Sequence, residues 1–317
     1  MLIYYIVFVL IILIIYYLIK ENKENFENKK FKFINNEQEE LSSDFGDIIK
    51  EDKTLKTSKT LKTPRNVFTY WENKNGRKEP YAHIKLCFET MKKHYKKYNF
   101  VILNAETIND YLPNLRQDLN NLLIAQKVDY YRVALLYNHG GIWIDADTIA
   151  LKNLDQIFEK LDNGYDYVGF GCTGIKCFNG YPYPSNGVMA SRKNGKLMNC
   201  CIKKLNLMLD KKNQKYEYFD LGKKIIWECL KEMKNYNYYH FPSEYDGTRD
   251  IEGQWIHTPN HLSKSPTKLL DKNKAIFVFL ANYELMNNQE NKWFTELNEK
   301  QIINGPWWIS SLYRDAF

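Results

Sequence analysis

Every residue from Leu2 to Ile19 is apolar or Tyr, and none is charged. In a helix, at about 1.5 Å per residue, the run spans roughly 27 Å, the thickness of a bilayer core. Tyr4-Tyr5 and Tyr16-Tyr17 mark its two ends, where aromatic belts form. No small-x-small cleavage site follows, so the pattern predicts an uncleaved transmembrane anchor over residues 1–20. Residues 21–63 are polar, rich in Asn, Lys and Glu, and predict a flexible stem.

From Pro64 the pattern alternates between two-residue and helical periods. It predicts strand Val67–Trp71, helix Tyr81–Tyr95, strand Phe100–Leu103, a helical stretch near Ile108–Leu112, a long helix Leu119–Tyr137 and strand Ile142–Ile144. Helix Leu154–Leu161, strand Tyr167–Phe170, a Gly/Pro-rich loop Gly171–Pro184, strand Gly187–Ser191 and helices Lys196–Leu209 and Leu221–Met233 follow. The tail from Asn235 carries short segments such as Ile276–Leu280. Such alternation predicts one α/β domain over residues 64–317, its largely parallel sheet sandwiched by helices, with the loop and the tail as candidate lids. Ligands of such sheets bind at the carboxyl ends of strands.

One such end carries candidate chemistry. In the long helix Leu122, Ala125, Val128, Leu135 and Leu136 recur at helical spacing, and His139-Gly140-Gly141 stops it with residues that tolerate a left-handed turn. The chain then reads Ile142-Trp143-Ile144-Asp145-Ala146-Asp147. On extended chain, side chains two apart point to one side, so Asp145 and Asp147 can face a single divalent cation. Mg²⁺ and Mn²⁺ take carboxylate oxygens and are completed by substrate phosphates. Taken alone, an Asp-x-Asp is in most cases a solvated turn. Asp129 and Arg132 share one face of the preceding helix. On an exposed helix they are a surface ion pair worth under ~1 kcal/mol; on this apolar helix, leading straight into the Asp-x-Asp strand, they border the same cleft.

Composition narrows the alternatives. With 317 residues, 44% of them apolar and 15% aromatic, the chain can bury a sizeable core. The net charge of +7 comes from 45 basic and 38 acidic residues spread along the chain. Runs such as Lys92-Lys93 and Lys96-Lys97 read as solvated helix faces, and no zinc-finger or RNA-binding signature accompanies them, which sets nucleic acid aside. Six cysteines, at 87, 172, 177, 200, 201 and 229, fit neither a zinc ribbon nor a disulfide framework, and read as reduced, buried thiols. Cys172 and Cys177 could bridge a loop, while adjacent Cys200 and Cys201 point to different helix faces. Lys20, Lys23, Lys29, Lys30 and Lys32 follow the apolar run, which by the positive-inside rule puts the domain in the cytosol. The absence of any Asn-x-Ser/Thr site agrees.

Asp129-Tyr130-Tyr131-Arg132, Leu135-Leu136-Tyr137 and Gly140-Gly141-Ile142-Trp143-Ile144-Asp145-Ala146-Asp147, in that order, resemble the signature of the sugar-transferring enzymes around glycosyltransferase family 32. Val67-Phe68-Thr69-Tyr70-Trp71-Glu72, with Pro80 and the helix after it, resembles the start of the capsular polysaccharide synthesis proteins of that group. Ser185-Asn186-Gly187-Val188-Met189-Ala190-Ser191 resembles their strand that meets the donor sugar, so the likeness covers most of residues 64–272. The resemblance implies a GT-A-like nucleotide-sugar-binding fold. It implies metal-dependent transfer of a hexosyl group from a UDP- or GDP-sugar to a hydroxyl of a glycan or polysaccharide acceptor, with retention.

By the same resemblance Asp145 and Asp147 hold Mn²⁺ or Mg²⁺, Asp129 and Arg132 bind the donor sugar or ribose, Trp71 stacks on the base, and Ser185 and Asn186 line the sugar pocket. A third metal ligand stays open between His257, His261 and Asn282. Asn304-Gly305-Pro306-Trp307-Trp308 resembles a Gly-Pro segment of the family but stands nearer the chain end. Golgi members of the group act in the lumen, so the resemblance and the positive-inside rule leave both membrane sides open. The alternative function is a catalytically silent carbohydrate-binding or scaffold protein on the same fold.

Overall fold

A computed structural model of the chain describes residues 62–73, 76–171, 185–211, 214–233 and 236–317. The expected anchor, the stem up to residue 61, and Cys172 and Cys177 with their loop lie outside these residues. Among the described residues no helix is long and apolar enough to cross a membrane.

The elements follow the sequence pattern closely. In chain order they begin with β1 (Asn66–Tyr70), α1 (Ala82–His94), β2 (Asn99–Leu103) and α2 (Ile108–Tyr111). Next come α3 (Ile124–His139), β3 (Gly141–Ile144), β4 (Thr148–Ala150), α4 (Asp155–Asp162) and β5 (Tyr167–Phe170). Then come β6 (Ser185–Ser191), α5 (Lys196–Leu209), α6 (Lys223–Glu232) and β7 (Tyr238–Phe241). The last stretch holds α7 (Thr258–His261), β8 (Phe277–Phe279), α8 (Asn282–Asn287), α9 (Gln289–Lys292), α10 (Glu299–Asn304) and α11 (Trp308–Ala316). The long predicted helix is two elements: a 3₁₀ turn over Gln117–Asn121, then α3. Gln126 ends the break by accepting the Leu123 amide at 3.1 Å.

Six strands form one sheet in the order β2-β1-β3-β6-β5-β7, and β4 pairs with β8 in a second. β1 runs parallel to β2 and β3, and β5 parallel to β7, while β6 runs antiparallel to both β3 and β5. The sheet is thus mostly parallel, as expected, with β6 reversed at its middle. That reversal matters for function, because the start of β6 lies at the carboxyl end of β3.

Neighbouring residues on each strand feed opposite layers, which is the two-residue period of a sheet buried on both faces. Phe68, Trp143, Tyr167 and Met189 pack with α3, α5 and α6 on one face. Val67, Ile142, Val168 and Val188 pack with α1 and α4 on the other. A third cluster joins Leu86 and Cys87 of α1 to Ile149, Val278 and the C-terminal helices, including Ile309, Leu312 and Tyr313. The C-terminal stretch, weakly patterned in the sequence, is therefore packed core.

The cysteine reading needs one correction. Cys200 of α5 and Cys229 of α6 form a disulfide, whereas Cys87 and Cys201 are free and buried as expected. Adjacent helix residues face different ways, so Cys201 turns into the core and Cys200 toward α6, where the two Cα atoms lie 5.9 Å apart. Sequence spacing carried no sign of this pairing, because it depends on how α5 packs against α6.

Candidate active site

The Gly140-Gly141 turn delivers β3 to the centre of the sheet. Both glycines have positive φ, 66° and 111°. A Cβ on Gly140 would lie 2.5 Å from the Lys193 amide nitrogen, and one on Gly141 would lie 2.3 Å from the Asn66 carbonyl oxygen. No residue with a side chain can enter the sheet there.

β3 ends at Ile144, and Asp145 and Asp147 occupy the turn into β4. They stand at a strand end, as expected, but the turn presents them rather than strand alternation. The Asp145 amide donates to the Gly187 carbonyl of β6 at 2.8 Å. Trp143 Nε1 donates to Asp145 Oδ1 at 2.8 Å. Asp147 Oδ2 accepts the amide of Asn282 at 2.8 Å. The Asp147 carboxylate also feels its own backbone amide.

Asp129 and Arg132 are not the surface ion pair of the simpler sequence reading, since they are only 5% and 6% exposed. Arg132 Nη2 lies 3.4 Å from Asp129 Oδ1 and 3.4 Å from Asp145 Oδ1, so one guanidinium joins the helix carboxylate to the Asp-x-Asp turn. The same group donates to the Asn186 carbonyl and, through Nε at 3.3 Å, to the Val128 carbonyl, with the Trp143 ring 5.3 Å away. Asn186 Nδ2 donates to Asp129 Oδ1 at 2.8 Å. Asn186 belongs to β6 itself, not to a turn before it.

Burial, first of all, raises the carboxyl pKa values. Asp129 is pushed up to about 6, against the lowering pull of Arg132. Asp147 is pushed up to about 6 by burial and then by the charge of Asp145, itself raised by burial. Two half-buried carboxylates side by side, the charge of one raising the other, suit a divalent cation. Of the three candidates for a further ligand, Asn282 is the one whose atoms touch Asp147. Its Oδ1 lies 2.9 Å from His83 Nε2. Burial drops His83 to about 4, so the ring is neutral and donates there. His261 instead stacks on Trp308 with centroids 5.4 Å apart. Among the described residues no group of three or more His, Cys, Asp or Glu side chains is arranged as a metal site.

Trp71 and Ser185 lie at the same sheet edge. β1 pairs with β3 at Phe68 and Trp143, which brings Trp71 near the level of Asp145. Its indole donates to Asn73 Oδ1 at 2.8 Å and its ring is half-buried. Ser185 Oγ accepts the Gly187 amide at 3.3 Å.

The pattern gave no sign of three further participants. Gly222 sits at the start of α6 so close that a Cβ there would lie 2.6 Å from Asn186 Nδ2 and 2.8 Å from both Asp129 oxygens. The next residue, Lys223, feels the charges of Asp246, Asp129 and Asp145, although burial lowers its pKa. Asp246 is 1% exposed; burial raises it to about 7, and its Oδ2 has no hydrogen-bond partner. All three lie in loops or at a helix start, where no periodicity marks them.

Residues 15–251, well over half the chain, match the family of capsular polysaccharide synthesis proteins. An uncharacterised glycosyltransferase of Acanthamoeba polyphaga mimivirus is 30% identical over 115 residues, 36% of this chain and 42% of the relative. The chain thus spans about two fifths of the length of that curated relative. Among solved structures, a glycosyltransferase involved in glycosylation of the major capsid of PBCV-1 shows 14% identity and a TM-score of 0.42, over 73% of this chain and 98% of that one. The glycosyltransferase GlyE of Streptococcus pneumoniae shows 16% identity and a TM-score of 0.43, over 79% and 64%. The galactosyltransferase LgtC, in complex with donor and acceptor sugar analogues, shows 10% and 0.38, over 73% and 92%.

Proposed function

We propose that this chain, which belongs to the capsular polysaccharide synthesis protein family, is a retaining glycosyltransferase moving a hexosyl group from a nucleoside diphosphate sugar to a glycan hydroxyl. The observation that carries the reading is the buried Arg132 guanidinium, 3.4 Å from Asp129 on one side and 3.4 Å from Asp145 on the other. That contact supports reading Asp129 as directed to the sugar and Asp145 with Asp147 as directed to a metal.

Asp145 and Asp147 would hold Mn²⁺ or Mg²⁺, with Asn282 beside them. Such a cation, when bound, neutralises the charge that builds on the leaving diphosphate. Asp129 and Asn186 orient the donor sugar through its hydroxyls. Arg132 keeps Asp129 ionised and fixes Asp145 so that its second oxygen faces the cleft. Lys223 adds a cation on the sugar side of the carboxylates. Trp71, one strand over, faces the base. The bond from the anomeric carbon to the diphosphate oxygen breaks, a bond from that carbon to the acceptor oxygen forms on the same face, and the acceptor proton passes to the departing diphosphate. The uncharged stretch Leu2–Ile19 supports an acceptor that grows at a membrane surface.

The test is to incubate the full chain with UDP-, GDP- and CDP-sugars and Mn²⁺ and follow release of nucleotide and the anomeric form of the sugar by NMR. Metal-dependent release with retained configuration is the expected result. Sugar binding without release from any donor would instead support the silent carbohydrate-binding protein.

A further inference from the structure

Beside the carboxylates stand three aromatic side chains exposed where a core would hide them: Tyr218 at 56%, Phe219 at 38% and Tyr283 at 67%. They form one group. The Tyr218 and Phe219 rings meet edge to face at 5.0 Å between centroids, and the Tyr218 and Tyr283 rings lie 6.1 Å apart. Tyr218 belongs to the segment between α5 and α6, whereas Tyr283 is the second residue of α8, so folding and not a local run brings them together.

Both ends of this aromatic shelf are fastened to the cleft. The Tyr216 carbonyl accepts Gln126 Nε2 of α3 at 2.9 Å, and Gly222 rests on Asp129 and Asn186. At the other end Asn282, the neighbour of Tyr283, donates its amide to Asp147. The shelf therefore runs from the Asp129 side of the cleft to the Asp147 side. The Lys223 ammonium lies 5.3 Å over the Phe219 ring, while the Tyr218 and Tyr283 side chains stay exposed.

We propose that Tyr218 and Tyr283 form a stacking platform for one pyranose ring of the acceptor glycan. A pyranose has an apolar C–H face, which lies flat on an aromatic ring, and a rim of hydroxyls that the exposed Glu217 and Glu284 can accept. The donor's base belongs elsewhere: Trp71 follows β1 on one side of β3, and the Tyr218 segment packs on Asn186 of β6 on the other. A sugar on the shelf therefore approaches the carboxylates from the side away from the nucleotide. The word acceptor rests on the proposed function; sugar binding on the shelf does not.

Saturation-transfer NMR of the full chain with methyl α- and β-pyranosides of glucose, galactose and mannose tests this directly. At least one pyranoside should bind the wild type. Affinity should fall about tenfold or more in Tyr218→Ala and in Tyr283→Ala, and survive in Tyr218→Phe and Tyr283→Phe. Melting temperatures of the four variants, compared with wild type, separate loss of the ring from loss of the fold. Unchanged binding in both folded Ala variants, or no pyranoside bound by wild type, would overturn the platform. A parallel titration of wild type with UDP-, GDP- and CDP-sugars separates the two readings: if none binds while pyranoside binding depends on the tyrosines, the donor assignment falls and the platform stands.

Discussion

Gly222 and Asp129 touch backbone to carboxylate: a Cβ on the glycine would lie 2.8 Å from each Asp129 oxygen. α6 begins against the group we propose to face the donor sugar, and no larger residue fits without moving it. Gly222→Ala should displace Asp129 and Asn186 together, and misplacement of this order typically costs up to about 10²-fold in rate. Steady-state kcat/KM for the donor is the readout, and wild-type turnover would mean that Asp129 takes no part.

Asp145→Asn and Asp147→Asn should each lower transfer by ~10²-fold or more, because each removes a charge needed by the cation and the leaving group. The fold should survive, since both side chains are only half-buried and each change relieves the repulsion that raises Asp147. Circular dichroism together with Mn²⁺ titration by calorimetry checks both halves. Wild-type Mn²⁺ affinity in either variant would move the metal elsewhere.

Arg132→Lys retains the charge but not the fork. The guanidinium reaches Asp129, Asp145 and the Asn186 and Val128 carbonyls at once, which a single ammonium cannot do. A loss of transfer exceeding about tenfold, with donor affinity reduced as well, is expected from kinetics and calorimetry. Equal kinetics would reduce Arg132 to a counter-charge.

Asp246 predicts a pH dependence that is separate from the metal. Its folded pKa, about 7, is raised above the value of 3.8 by burial, so the folded state binds this proton more tightly than the unfolded chain does. Its contribution therefore falls as pH rises between about 4 and 7, and the loss is complete above that window. Asp246→Asn keeps the oxygen that accepts from the Thr248 amide and hydroxyl. The difference in melting temperature between variant and wild type should grow in favour of the variant from pH 4 to 7. A difference that stays constant with pH would contradict the raised pKa.

The Cys200–Cys229 bond closes a loop between residues 29 apart. Chain-entropy reasoning gives it about 3–4 kcal/mol. A reductant, or the double change to Ser, should lower the melting temperature by roughly ten degrees. Such bonds persist in oxidising compartments and are rare in the cytosol, so we expect the chain to act where the bond can form. Mass spectrometry of non-reduced protein from its natural source decides this; two free thiols there would favour the cytosolic side.

The sandwich was legible because its strands are buried on both faces and its helices keep one apolar stripe. Strand β5 and helix α5 fall on the same residues in the sequence pattern and in the structure. Asp145, Asp129 and Arg132 were legible as a group because a short glycine turn links the elements that carry them. Lys223, Gly222 and Asp246 were not, since their roles come from where α6 starts and how the Asp246 turn packs, contacts that span a hundred residues of chain. β4 escaped, and β8 showed only as the short segment Ile276–Leu280, for the same reason: three-residue strands gain their identity from each other.

The short β4–β8 ladder also joins stretches of chain that lie far apart in sequence. Asp145 and Asp147 arrive on the β3–β4 turn, while Asn282 and Tyr283 arrive on the far side of β8, joined to the first part through Ile149 and Val278. The proposed platform thus draws on two stretches of chain, Tyr218 ahead of α6 and Tyr283 beyond β8, and the Asp145–Asp147 turn on a third. A graft replacing residues 283–287 of α8, with β4, β8 and Asn282 kept, should change which glycan is bound while the Asn282 contact to Asp147 stays in place. Selection, or an engineer, can vary the two independently.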